Sequence, residues 1–172
     1  VKIPVFKSAH IITISDKTEK EILKYNAVNK NKITVSSVCI HNIYKKKVKP
    51  FLKKKPKILI IGTSGNKNVK NILMSLIDID CELIIIGDLI KEYLFILKKF
   101  KIKYKNYVAL NNKTIFKKYI ESDLLLFPSQ YEGFGMPILE AQTVGRVVIT
   151  SNLEPMISVG GNGALYVNPY NV

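Results

Sequence analysis

From residue 57 onward the chain alternates short, continuous apolar runs with longer segments whose apolar residues recur at helical spacing. KILIIG (57–62), CELIIIG (81–87), KNYVAL (105–110), DLLLFPS (123–129), VVITS (147–151) and GALYV (163–167) have the length and branched side chains of strands. NKNVKNILMSLI (66–77), LIKEYLFILKKF (89–100), NKTIFKKYIES (112–122) and MPILEAQTV (136–144) read as helices. In the first of these, Val69, Leu73, Leu76 and Ile77 fall on one side. Strands that are apolar at every position are buried on both faces, and helices between them make the crossovers. The pattern predicts an α/β domain with a Rossmann-like parallel sheet and helices on both faces.

The first third of the chain is less regular. HIITIS (10–15) and KITVSSVCI (32–40) read as strands, separated by a helix in DKTEKEILKYNAV with Ile22, Leu23 and Val28 on its apolar side. Asp16 and Thr18 are its candidate caps, with Glu19 and Glu21 in the first turn. The lysines and two prolines of IYKKKVKPFLKKKPK (43–57) make a linker and not an element. We place a basic linker at 44–56, the end of a preceding domain at 1–43, and the Rossmann-like domain at 57–172. The chain starts at Val1, not Met, and ends after a turn-like NPYN, so it reads as a piece of something longer.

Composition narrows the function. The formal net charge is +14. Lys, Asn and Ile crowd the whole chain, so most of this charge reads as codon bias, with a share for an anionic partner such as a nucleotide or a membrane surface. A nucleic-acid binder is disfavoured, because aromatics are not interleaved with the basic run 45–57 and no RNP or helix-turn-helix pattern occurs. Cys39 and Cys81 form no CxxC pair, which argues against a structural zinc and for a reducing cytoplasm. No apolar run has the length of a transmembrane helix, so any membrane contact is expected to be peripheral.

In open α/β sheets ligands bind beyond the carboxyl ends of the strands. Two loops there carry chemistry. In GTSGNKN (62–68), Gly62 and Gly65 allow tight turning and close approach, a helix start supplies free amides, and Lys67 adds a charge. These are the parts of a phosphate site, without the spacing of a Walker motif. In SQYEGFGMPILEAQTVG (129–145), Gly133 and Gly135 make a tight loop, Pro137 suits the first helical position, and Glu132 and Glu140 bracket the turn. Carboxylates repel phosphates but accept hydrogen bonds from neighbouring hydroxyls. Phosphates held by amides and Lys67, with sugars beside the acids, describe a nucleotide sugar. The plainer alternative is a loop acid at Glu132 and a solvated helix residue at Glu140, placed by the helix dipole.

The stretch PSQYEGFGMPILEAQTVG resembles the E-x7-E motif of family 4 glycosyltransferases, the glycosyl transferase group 1 type with a GT-B fold. IIGTSGNKNVKNIL, CELIIIG, SDLLLFPS, VVITSN and GALYVNP resemble the surrounding parts of that family's donor-binding, C-terminal domain, and HIITISDKTEKEIL with KITV resembles the end of its acceptor domain. The resemblance implies a hexosyltransferase that moves a sugar from a nucleotide diphosphate donor to a saccharide or lipid-linked acceptor hydroxyl. It further implies retention of configuration and no metal or other cofactor, in cell-surface polysaccharide or lipopolysaccharide synthesis at the cytoplasmic face. It assigns Glu132 to the donor sugar and Lys67 to the leaving diphosphate as the catalytic pair. It places Gly62, Thr63, Gly133, Phe134, Gly135, Met136 and Pro137 around the donor, and Glu140 on the ribose hydroxyls.

The sequence departs from that family at four places. The loop of Thr63, Ser64, Gly65 and Asn66 lacks a basic residue that often accompanies the lysine. Ser36, Ser37 and Val38 replace a Pro-Asn-Gly, and Ile157 and Ser158 replace a Pro-Glu pair. The family's active-site histidine has no counterpart, since neither His10 nor His41 matches it. The expectation is an enzyme whose donor-binding half is present here, inactive by itself; the alternative is a non-catalytic nucleotide-sugar-binding module.

Overall fold

The protein is described by a computed structural model covering residues 2–171. A short helix α1 (Lys2–Lys7) leads into a parallel two-stranded sheet, β1 (Ile11–Thr13) and β2 (Ile33–Val35), joined through α2 (Asp16–Tyr25). Its strands are shorter than the sequence predicts, three residues each. The cap of α2 is Ser15, one residue ahead of the expected Asp16. Its hydroxyl accepts from the Thr18 amide at 3.2 Å, and Asp16 and Glu19 occupy the first turn.

The main body is a six-stranded, all-parallel sheet: β3 (Lys57–Ile61), β4 (Glu82–Ile86), β5 (Lys103–Tyr107), β6 (Leu124–Phe127), β7 (Val147–Ser151) and β8 (Leu165–Val167). Its spatial order is β5-β4-β3-β6-β7-β8. Helices α3 (Val69–Ser75), α4 (Lys91–Lys99), α5 (Asn112–Glu121), α6 (Met136–Val144) and α7 (Met156–Gly160) make or follow the crossovers. The predicted fold is the observed one. β3, β4 and β6 read correctly because both their faces are covered. Ile58, Ile60, Leu83 and Ile85 pack with α3 and α4, while Leu59, Ile84, Leu125 and Phe127 pack with α5, α6 and α7. Each such fully buried aliphatic side chain contributes about 2 kcal/mol.

Differences fall at the edges. β5 starts two residues earlier than its apolar run, because it is an edge strand whose exposed positions carry Lys103, Tyr104 and Lys105. The helix expected over 66–77 is split: Gly65–Lys67 form a 3-10 turn, Asn68 adopts a left-handed φ of 60°, and α3 starts at Val69. The short α7 has no counterpart in the sequence reading, since MISVG lacks a helical period.

The basic stretch after β2 has no helix or strand, yet it is not a free tether. Tyr44 is buried against Phe116 and Tyr119, edge-on at 5.8 Å to each ring. The Lys47 amide donates to the Val144 carbonyl at 3.1 Å, and its carbonyl accepts from the Arg146 guanidinium. Lys49 pairs with the buried Asp123 at 2.8 Å, and Asp123 also accepts from the Lys57 amide at 2.7 Å. Burial alone would raise the Asp123 carboxyl, but Lys49 and the Lys57 amide hold it below its ordinary value.

Candidate nucleotide-sugar site

From β3 the chain steps one way, to β4 and β5; from β6 it steps the other way, to β7 and β8. The carboxyl ends of β3 and β6 therefore flank the switch point, where a crevice opens. Loops 62–68 and 128–135 leave these two strands. Both loops singled out in the sequence thus meet, and they are tied together. The Gln130 amide donates to the Asn66 carbonyl, and the Asn66 side chain donates to the Tyr131 carbonyl, each at 2.8 Å.

Lys67 and Glu132 form an ion pair across this junction at 2.6 Å, both largely shielded from solvent. The Lys67 ammonium also lies 4.6 Å from the centre of the Phe127 ring. Gly62 makes this placement possible. Its φ is +82°, and a Cβ there would come within 2.9 Å of Lys67 Cε. Gly65 differs: a Cβ would meet no protein atom, so folding does not require a glycine at that position. The Thr63 side chain lies against the Gly87 backbone.

Gly135, at φ +104°, is the N-cap of α6 and offers no side-chain cap; Pro137 has no N–H and the Ile138 amide donates to the Gly135 carbonyl at 3.0 Å, which leaves the Met136 amide open. Met136 is the first helical residue and Pro137 the second, one place later than expected. Phe134 lines a groove of about 510 Å³ with Leu139, Pro155 and residues of α2.

Glu140 sits one turn into α6, apart from the ion pair. It is not a solvated helix residue: its Oε2 accepts from the buried Tyr119 hydroxyl at 2.7 Å, and Tyr44 faces it as well. Burial raises the Glu140 carboxyl above its ordinary value, while hydrogen bonds from Tyr119 and Tyr44 oppose that rise. The same carboxylate, after burial, pushes the Tyr119 phenol well up. The sequence pattern marks neither tyrosine as a site residue. The one available signal was a lone aromatic, Tyr44, at the head of a lysine run.

Each histidine has a local structural partner. His10 Nε2 shares a hydrogen bond with Thr34 Oγ1 at 2.8 Å, and His41 Nδ1 accepts from the Ile43 amide at 3.1 Å. At the departure near residue 158, the Ser158 hydroxyl donates to the Glu154 carboxylate at 2.6 Å. Among the described residues no cluster of His, Cys, Asp and Glu could hold a metal ion, and no helix is long and apolar enough to cross a membrane.

The sequence profile described as glycosyl transferases group 1 matches residues 42–172. The chain belongs to this family. Among curated relatives it is 31% identical, over 98% of its own length and 49% of the relative, to the O-antigen chain mannosyltransferase RfbU of Salmonella typhimurium strain LT2. It is 41% identical over 54 residues, 31% of this chain and 14% of the relative, to the O-antigen chain mannosyltransferase B of Escherichia coli. Among solved structures it superposes on WaaG, a glycosyltransferase involved in lipopolysaccharide biosynthesis, with TM-score 0.80 at 16% identity, covering 94% of this chain and 50% of that one. Anabaena HepE in complex with UDP-glucose gives TM-score 0.80 at 15% identity, covering 98% and 52%. At those identities the superpositions establish the fold alone, the α/β architecture of a GT-B C-terminal domain. The chain spans about half the length of the first curated relative.

Proposed function

We propose that this chain holds the donor-binding half of a retaining glycosyltransferase. The enzyme moves a hexosyl group from a nucleoside diphosphate to an acceptor hydroxyl during assembly of a cell-surface polysaccharide. Residues 57–172 form the donor domain, 44–56 a strap joined to it, and 1–43 the end of the acceptor domain. One observation carries the reading. At the switch point of a family member, a lysine paired with an acid lies beside an uncapped helix start, and a second, half-buried carboxylate waits one turn further on.

In this reading Lys67 and the open amides of the motif loop take the diphosphate and stabilise its growing charge as the bond to the anomeric carbon breaks. Glu132, released from Lys67, accepts from donor sugar hydroxyls, and Glu140 accepts from the ribose pair. Gly62, Thr63, Gly133, Phe134, Gly135, Met136 and Pro137 shape the surrounding wall. The acceptor hydroxyl attacks on the face the diphosphate leaves, and its proton passes to the departing diphosphate oxygen. No metal is required. Mannose is the first sugar to test, since two relatives are named mannosyltransferases. Work on a lipid-linked acceptor places the protein at the cytoplasmic face of a membrane, held there peripherally with help from its +14 charge.

Titrating this chain with UDP, GDP and ADP, with Glu140→Ala as control, tests the donor site. Turnover of GDP-mannose or UDP-glucose by the intact protein tests the enzyme. Selective binding lost in the variant, together with turnover, is the expected result. Binding without turnover by the intact protein would support the non-catalytic module instead, a reading favoured by the lack of any cation in residues 63–66.

A further inference from the structure

Three consecutive carbonyl oxygens in the motif loop are each taken by a side chain from outside it. Tyr131 O accepts from Asn66 Nδ2 at 2.8 Å, Glu132 O from Lys17 Nζ at 3.0 Å, and Gly133 O from Ser15 Oγ at 2.7 Å. Two of the three donors lie at the start of α2, beside the small sheet. Ser15 is buried and Lys17 is braced: its ammonium lies 3.4 Å from the centre of the Tyr131 ring, and the Tyr131 hydroxyl donates to Glu21 at 2.8 Å.

A trans peptide unit points its C=O and the following N–H in opposite directions. Holding the carbonyls of Glu132 and Gly133 toward α2 therefore turns the amides of Gly133 and Phe134 the other way. Among the described residues, neither amide has an acceptor within the protein. Loop amides left without partners are costly unless water or a ligand takes them, and two successive amides aimed outward form a seat for an anionic oxygen.

We infer that the start of α2 is a positioning device for the donor site, in which Ser15 and Lys17, with Asn66, fix the motif loop by its carbonyls and so aim the Gly133 and Phe134 amides at an anionic group of the ligand. Neither Ser15 nor Lys17 touches that ligand. The inference rests on the donor-site reading above and extends it: the anion seat is completed by the part of the chain that precedes the strap. The two parts are thereby coupled, and loosening α2 unmakes the seat without altering any residue in it.

The test uses two variants of the full chain. Ser15→Asp keeps an acceptor for the Thr18 amide, and so the helix cap, but has no proton for Gly133 O. Lys17→Met keeps the stem over Tyr131 and loses the donor. Nitrogen-15 relaxation reads the loop directly, with or without nucleotide. Order parameters at Gly133 and Phe134 are expected to fall from the rigid range, about 0.85, to below about 0.6, while those of β4 stay unchanged. The nucleoside diphosphate that the parent chain binds best is expected to bind about tenfold more weakly, and the matching nucleoside to keep its affinity within about twofold. Ser15→Thr, which retains the hydroxyl, is expected to restore both.

Unchanged order parameters in both variants overturn the inference, as does an equal loss of affinity for diphosphate and nucleoside. If the parent chain binds no nucleotide, the donor-site reading fails, and the order parameters alone decide whether α2 positions the loop.

Discussion

The Lys67 ammonium lies 2.6 Å from the Glu132 carboxylate, although 65 residues separate them. In the proposed donor site an incoming diphosphate therefore competes with an internal partner for the same cation. Glu132→Gln removes the competitor and a repulsive charge together, and is expected to bind nucleoside diphosphate about three- to tenfold more tightly. Lys67→Met is expected to weaken binding by tenfold or more, about 1.4 kcal/mol. Calorimetric titration of both variants checks the pair. Weaker binding by Glu132→Gln would mean that the acid supports the phosphate site and does not restrain it.

Glu140 gives the proposed site an acid limb. Only the ionised carboxylate offers both oxygens as acceptors to the proposed ribose pair, and burial raises its carboxyl above the ordinary value. Nucleotide affinity should thus fall on acidification at a higher pH than a solvated glutamate would dictate. Tyr119→Phe removes a hydrogen bond that opposes this rise, so the limb should move to still higher pH, with affinity at neutral pH about three- to tenfold weaker. Affinity measured across pH for both proteins tests this. An unmoved limb would detach Tyr119 from the proposed ribose site.

Folding stability responds to pH in both directions. The Asp123 carboxyl is held low by Lys49 and the Lys57 amide, so its contribution is present above the unfolded pKa and is lost as pH falls through the folded one. Glu140, held high, binds its proton more tightly when folded and opposes that loss. Asp123→Asn is expected to cost about 1–3 kcal/mol at neutral pH and to flatten the acid side of the stability profile. Lys49→Met, at a partly exposed position, should cost less. Urea midpoints measured at several pH values read both.

Gly62→Ala probes the backbone beneath Lys67. The left-handed φ costs a residue with a Cβ about 1–2 kcal/mol, and the added carbon would displace the Lys67 stem. Diphosphate affinity should fall in this variant, while affinity for the nucleoside alone holds. Gly65→Ala, where a Cβ meets nothing, should leave both near the parent's values.

How much of this was legible depends on whether the signal lay in side chains along the chain or in meetings across it. β3, β4 and β6 could be read because burial on both faces forces an unbroken apolar run, and β5 was misplaced because an edge strand escapes that demand. Lys67, Glu132, Glu140 and their glycines were visible as spacing beside strand ends. Their partners were not. That Lys67 turns to Glu132, or that Tyr119 and Tyr44 hold Glu140, follows from three-dimensional neighbours with no periodic trace. The hold of Ser15 and Lys17 on the motif loop is harder still to foresee, because it acts on backbone oxygens that every residue carries.

The strap carries the same distinction into sequence drift. At Lys47 it is fastened by backbone groups, whereas at Tyr44 and Lys49 it is fastened by a ring and an ammonium. A run that looks uniformly basic therefore divides into interchangeable and irreplaceable letters. The lysines at 45, 46 and 47 can be traded for other polar residues as a genome's base composition shifts. Tyr44, Lys49 and the Arg146 that grips the Lys47 carbonyl have to stay.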